Sequence, residues 1–170
     1  MPTARRWFET LRDEVTWHSE RRRMYDRDVD VPRLVAGYRL DEKELPQALR
    51  EAARRASDAT GAPFNRVGLN FYRNGSDSVA PHNDHLYEIV AGYPIALISL
   101  GATRMMTIRS KTKPPFDSAQ GRRRIFDLDL EEGSLLVMSY ETQLHYDHGI
   151  PKTRAAVGPR ISIALRVRPD

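Results

Sequence analysis

A mainly β, α+β fold, a β-sandwich or jelly roll with helices packed on one outer face, is what this sequence predicts, on three observations. Apolar residues recur at helical spacing only in the first third of the chain. From Phe64 onward the period changes to short runs rich in β-branched and aromatic residues. Turn signals separate those runs, namely Asn74-Gly75, Ala91-Gly92, Gly101, a polar stretch from Lys111 to Gly121, and Glu132-Gly133.

The elements follow in order. Trp7, Phe8, Leu11 and Val15 make the apolar face of a short helix that ends before Trp17. Glu20 to Arg39, with three successive arginines and with Tyr25 and Tyr38 among polar residues, reads as loop and edge structure. Asp41 and Glu44 stand as a capping-box-like pair, Pro46 falls in the first turn, and Leu45, Ala48, Leu49, Ala52, Ala53 and Ala56 form one stripe. That helix stops near Gly61. The strand candidates are NRVGLNFYR, PIALISL, ATRMMTIRS, RRIFDLDL, SLLVMSY and RISIALRVR. With 170 residues, enough for one core, a single domain is expected.

Composition narrows the chemistry. The chain has no cysteine, which excludes disulfides, cysteine-ligated zinc, iron-sulfur clusters and thiol catalysis, and leaves histidine and carboxylate for any metal. Lys and Arg number 27 against 23 Asp and Glu, a net charge of +4 that permits a polyanionic partner. No apolar run reaches membrane-span length and MPTARRWFETLRDEV holds no hydrophobic signal core, so a soluble, cytoplasmic, monomeric protein is expected.

His82 lies two residues before Asp84, and in extended chain side chains at i and i+2 leave the same face. A third ligand from a distant strand, with His148 after SLLVMSY as the candidate, completes the two-histidine, one-carboxylate arrangement of non-haem iron oxygenases, which leaves coordination positions open. A hydrogen-bonded surface pair is the bland reading of the first two. Arg160, Ser162, Ala164 and Arg166 share a face of the last strand, and two arginines on an apolar strand need anions, whether a bound dicarboxylate or Asp127, Asp129 or Glu131. Asn70 and Tyr72 alternate in the same way and offer an amide and a phenol.

The motifs NxY, HxD, PIA with SLGATR, GSLLVM, HxxHGIP and PRxSxxxR, from about Asn70 to Arg166, resemble the AlkB family of dealkylating oxygenases. The resemblance implies a double-stranded β-helix, a form of jelly roll. One AlkB-like domain over 1–170 would comprise N-terminal helices and a nucleotide-recognition lid over 1–62 and the jelly-roll core over 63–170. By resemblance His82, Asp84 and His148 match the iron ligands, with His145 the alternative to His148. Asn70, Tyr72, Arg160, Ser162 and Arg166 match positions that hold 2-oxoglutarate. The implied cofactors are Fe(II), 2-oxoglutarate and O2, with ascorbate as reductant in vitro. The implied reaction removes N-alkyl groups from bases such as 1-methyladenine or 3-methylcytosine and releases formaldehyde, succinate and CO2. The implied partner is alkylated DNA or RNA, single-stranded or with the base flipped out. Tyr38 and Tyr25 are candidates to stack on the base with His82; Arg21 to Arg23, Lys111, Lys113 and Arg122 to Arg124 are candidates for phosphate contacts.

Two departures concern the substrate. Leu86 stands where repair members carry an acidic residue that reads the base, with Glu88 as a possible substitute if the segment stays extended. Gly37 stands at or beside a usual bulky aromatic. Both keep open the same oxygenase core acting on another modified RNA, a protein side chain or a small molecule; a non-catalytic jelly-roll binding module is the third reading.

Overall fold

The chain was analysed as a computed structural model that describes residues 2–24, 27–112 and 123–169. Helix α1 (Pro2–Glu14) is followed by β1 (His18–Met24), β2 (Arg27–Arg39), α2 (Gln47–Thr60), β3 (Arg66–Tyr72) and β4 (Val79–His82). Then come β5 (Ile95–Gly101), β6 (Arg104–Ser110), β7 (Ile125–Leu130), β8 (Leu135–Met138), α3 (Tyr140–His145), β9 (Tyr146–Ile150) and β10 (Arg160–Arg166). The strands form a six-stranded sheet, β1-β2-β3-β10-β5-β8, and a four-stranded sheet, β4-β9-β6-β7. All pairings are antiparallel. This mostly β arrangement of two antiparallel sheets fits a jelly roll.

Alternation along each strand builds two apolar layers. Leu69, Ile98, Leu100, Ile161, Ile163 and Leu165 leave one face of the large sheet and join Trp7, Phe8, Leu11, Leu49 and Ala52 of the helices in one cluster. From the opposite face, Tyr72, Leu97 and Ala164 meet Met106, Leu130 and Ile150 of the small sheet. The polar residues that alternate with the first set, among them Asn70, Ser99, Arg160 and Ser162, are thereby directed between the sheets.

Three sequence expectations need correction. Residues 20–24 and 27–39 are not loop but lie in the paired strands β1 and β2; the edge part of the reading agrees with β1 at the sheet edge, and β2 also pairs with β3. The alternation was hidden because Ala36 and Tyr38 pack on the outer cluster while Arg33, Val35, Gly37 and Arg39, which mix charged, apolar and small residues, alternate with them on the other face. Helix α2 begins at Gln47, with Pro46 at the N-cap and no side-chain cap. Asp41 instead takes a two-bond fork from Arg39 at 2.9 Å, and Glu42 Oε1 accepts from Arg39 N at 2.7 Å, so Asp41 of the expected Asp41/Glu44 pair serves the turn before the helix. Its end is as read: Gly61 at φ 70° donates its N–H to Ser57 O at 2.8 Å. Strands β4 and β9 and helix α3 were not foreseen, because VAPH, YETQLH and YDHGI carry ligand-type and polar residues in place of an apolar alternation.

Candidate metal centre and dicarboxylate pocket

His82 ends β4, His148 lies in β9, and the antiparallel register sets the two directly opposite each other. Their rings are 4.6 Å apart between centroids. The close approach depends on Gly149, whose position leaves only 2.9 Å between a Cβ built there and Val79 O, so a side chain would push β4 off β9. Asp84 sits two residues beyond β4 in a segment outside the sheets, and one ligand atom from each of His82, Asp84 and His148 lies within 4.8 Å of the others.

Two of the three are held by a neighbour, while His148 Nδ1 is buried without a hydrogen-bond partner. His82 Nδ1 lies 2.9 Å from Ala80 O, which favours a proton there and leaves Nε2 with a free lone pair. Arg166 forks the Asp84 carboxylate, Nε to Oδ2 at 2.8 Å and Nη2 to Oδ1 at 3.2 Å. Burial pushes the Asp84 carboxyl up, but the Arg166 charge and hydrogen bonds, with smaller contributions from His148 and His82, outweigh it and keep the group below the usual carboxylate range. Burial, then the neighbouring His82, pushes His148 down to about 4, so its imidazole is neutral and able to donate to a metal at neutral pH. Two imidazoles and a carboxylate on one side suit iron(II).

Behind this group lies a buried cation. Arg160 is 0% exposed; Nη2 donates to Ser99 Oγ at 2.9 Å, while Nε and Nη1 are buried with no partner. Its guanidinium is 5.2 Å from the centroid of the Tyr72 ring. Burial pushes Arg160 down to about 10, still charged at neutral pH. Unmet charged donors inside a protein are costly, and a carboxylate set against one edge of the guanidinium can accept from Nε or from Nη1 together with the second Nη2 hydrogen. Ser162 is paired with Asn70 on one side and Ser99 on the other, beside Arg160. Asn70 Oδ1 accepts from Arg33 Nε at 2.6 Å. The salt-bridge alternative for the two arginines thus holds for neither in the form expected: Arg160 has no acid, and the acid on Arg166 is Asp84.

The metal group opens on a cavity of about 790 Å³ lined by His82, Asp84, His85 and Glu88 and, across from them, Val31, Pro32 and Arg33 of β2 and Lys152. The proposed substrate contacts are less well placed. Tyr38 pairs with Val67 and packs on the outer cluster, on the face of β2 opposite to Gly37, so it does not face the metal group. Residues 86–88 form a single 3-10 turn and do not stay extended; Glu88 still lines the cavity, with its carboxylate taken by Arg168 at 2.6 Å. Leu86 packs towards Ile89, Ile95 and Met138. Tyr25, Lys113 and Arg122 lie outside the described residues. Arg21 to Arg23 lie on β1, Lys111 Nζ donates to Gln143 O, and Arg123 and Arg124 are exposed. His145 is at the exposed end of α3, outside the metal group.

Two contributors escaped the sequence reading. Arg104, 3% exposed, donates to Asn74 O, Asp77 O and Pro151 O and so ties the approach to β4 to the exit of β9. An arginine in register with Met106 and Ile108 on one strand face was the available signal. Gln143, 0% exposed, accepts the Asp84 N–H on Oε1 at 3.1 Å while its Nε2 is buried without a partner; nothing in the sequence marks it. Gln143→Met, similar in volume, is expected to change thermal stability little, since losing the unmet Nε2 donor offsets losing the acceptor of the Asp84 N–H, yet to weaken metal binding about 10- to 100-fold by freeing the Asp84 backbone. Metal titration beside thermal denaturation checks both halves.

A jelly roll that gathers two histidines and an aspartate at one cavity, with a half-satisfied arginine buried behind them, has the parts of a non-haem iron oxygenase that takes a dicarboxylate. The family model of the 2OG-Fe(II) oxygenase superfamily matches residues 2–166. "DNA oxidative demethylase ALKBH2" of Bos taurus is 32% identical over 151 residues, 88% of this chain and 54% of that protein. "Alpha-ketoglutarate-dependent dioxygenase alkB homolog 3" of Homo sapiens is 31% identical over 174 residues, 95% of this chain and 61% of that protein. The chain thus spans between about half and two-thirds of the length of these relatives. A solved structure titled "The structure of OsALKBH1" superposes with a TM-score of 0.56 at 13% identity, covering 98% of this chain and 90% of that one, which supports the fold. The chain belongs to the 2OG-Fe(II) oxygenase superfamily. No helix among the described residues is long and apolar enough to cross a membrane.

Proposed function

We propose that this chain is an iron(II)- and 2-oxoglutarate-dependent oxygenase that removes N-alkyl groups from nucleic-acid bases of the 1-methyladenine and 3-methylcytosine type. The observation that carries the reaction class is the His82, Asp84, His148 group with the two unpartnered Arg160 donors behind it. The nucleic-acid substrate rests on the relatives, one of which is named a DNA oxidative demethylase. Iron(II), with one 2-oxoglutarate and one O2, supplies oxidation of the N-alkyl carbon, which leaves as formaldehyde beside succinate and CO2.

The protein's share is binding and orientation. His82, Asp84 and His148 hold the metal from one side and leave the other open. Arg160 would hold the distal carboxylate of 2-oxoglutarate through charge-assisted hydrogen bonds, with Ser162, Tyr72 and Asn70 around it. Arg166 fixes the Asp84 carboxylate, so the ligand reaches the metal without reorganisation. Residues 1–62 supply helices and a lid to the core of 63–170, a division supported by Val31, Pro32 and Arg33 at the cavity wall. A base in single-stranded or locally opened nucleic acid enters there.

Formaldehyde release from oligonucleotides carrying 1-methyladenine or 3-methylcytosine, with iron(II), ascorbate and 2-oxoglutarate, tests the reading. Release that His82→Ala abolishes is the expected result. No release, beside intact substrate-free succinate formation, would shift the substrate to a different modified RNA, a protein side chain or a small molecule. That second reading is favoured by the inward turn of Leu86 and the outward packing of Tyr38, which remove two base contacts.

A further inference from the structure

We propose that Tyr87, backed by His85, is a stacking platform for the nucleobase adjacent to the one that enters the cavity. The inference rests on the nucleic-acid reading above and adds a binding subsite to it.

The turn Leu86–Glu88 begins two residues after Asp84, so Tyr87 lies at most about 11 Å along the chain from the metal aspartate. Leu86 is anchored against Ile89, Ile95 and Met138, and that anchor sends the next side chain outward. Tyr87 is 77% exposed, the most exposed of the large apolar and aromatic residues, so the fold gains little from its ring. Single exposed aromatics are ordinary on protein surfaces. This one is held in place: the His85 ring stacks on it at 5.3 Å with 19° between planes, and His85 lines the cavity that contains the metal group. An exposed ring with one face stacked on a histidine that itself lines the cavity is an aromatic platform of the kind on which single-stranded bases stack.

The surroundings suit a nucleic-acid strand. The carboxylate next in sequence, Glu88, is neutralised by Arg168 at 2.6 Å, while Arg33 and Lys152 line the same cavity. Stacking also accounts for Leu86. With no acid at that position to read an exocyclic amine, the segment grips the strand through the face of a neighbouring base, which every base possesses, in place of a hydrogen bond that only some bases can make. Binding that tolerates different flanking bases follows.

The test is anisotropy of a labelled, unmodified eight-nucleotide single strand against wild type, Tyr87→Ala and Tyr87→Phe over a range of salt. Tyr87→Ala should weaken binding roughly 5- to 150-fold, the range expected for one stacked base, with the salt slope unchanged because no phosphate contact is lost. Tyr87→Phe should stay within about two-fold of wild type, and thermal denaturation of both variants should match wild type. A mononucleotide, which has no neighbouring base, should lose less than about two-fold affinity in Tyr87→Ala. Wild-type affinity in Tyr87→Ala, or a loss equal for mononucleotide and octamer, would overturn the platform alone. Failure of wild type to bind any single strand would overturn the nucleic-acid reading and the platform with it.

Discussion

Arg160→Met is expected to weaken 2-oxoglutarate binding by roughly 30- to 5,000-fold and to leave the ligand-free protein as stable as wild type or more so. Both effects come from the same two atoms. Nε and Nη1 of Arg160 are buried without partners, so the guanidinium contributes desolvation cost to the ligand-free fold and recovers it when a carboxylate arrives. A methionine of similar length fills the space beside Tyr72 and Ser99 without a charge. Thermal denaturation under anaerobic iron(II) reads both. At 2-oxoglutarate a hundred times the wild-type dissociation constant, wild type should gain about 2.7 kcal/mol, or roughly 5–11 °C for a chain of this size, and the variant at most about 0.9 kcal/mol at the same concentration. A variant that kept the ligand-induced shift would place the dicarboxylate elsewhere. One that lost several kcal/mol without ligand would mean that Arg160 has partners within the protein.

The parts of this site that could be read from the sequence are those written in strand periodicity. Asn70, Tyr72, Arg160, Ser162 and Arg166 stand out because they interrupt apolar alternation at even spacing, and the register sets Asn70 opposite Ser162 and Tyr72 opposite Arg160. His82 and His148 meet because β4 and β9 pair, which no local pattern announced: β4 is four residues long and contains Pro81, and β9 carries Asp147 and His148. What failed were inferences about faces from segments that change conformation. Tyr38 was taken as a stacking partner without knowing that β2 continues into the sheet, where the register fixes it on the helix side. Glu88 was placed by assuming extended chain, and a 3-10 turn intervenes. Gln143 was invisible because its contact to Asp84 spans 59 positions and joins a short helix to a loop.

Asp84→Ala should also abolish metal binding, with the opposite effect on the fold. The Asp84 and Arg166 side chains are 13% and 18% exposed, and the carboxylate accepts two hydrogen bonds from the guanidinium. Removing the acid leaves Arg166 with only its bond to Ala164 O and strands a mostly buried charge. The expected cost is about 2–4 kcal/mol, somewhat below that of a fully buried pair, a fall in melting temperature on the order of 10 °C. Asp84→Asn keeps the volume and one acceptor and should fall between alanine and wild type in stability while still losing metal affinity. The sign of the stability change therefore separates the two arginines of β10. Arg166 is satisfied by the protein itself and supports the fold whether or not a metal is bound, whereas Arg160 is complete only with a ligand. If both variants destabilised equally, Arg160 would be one more structural ion and its unpartnered donors would lose their meaning. If Asp84→Ala left the melting temperature unchanged, the Arg166 fork would be a surface pair of little worth, and the fixed geometry ascribed to the metal group would need another source.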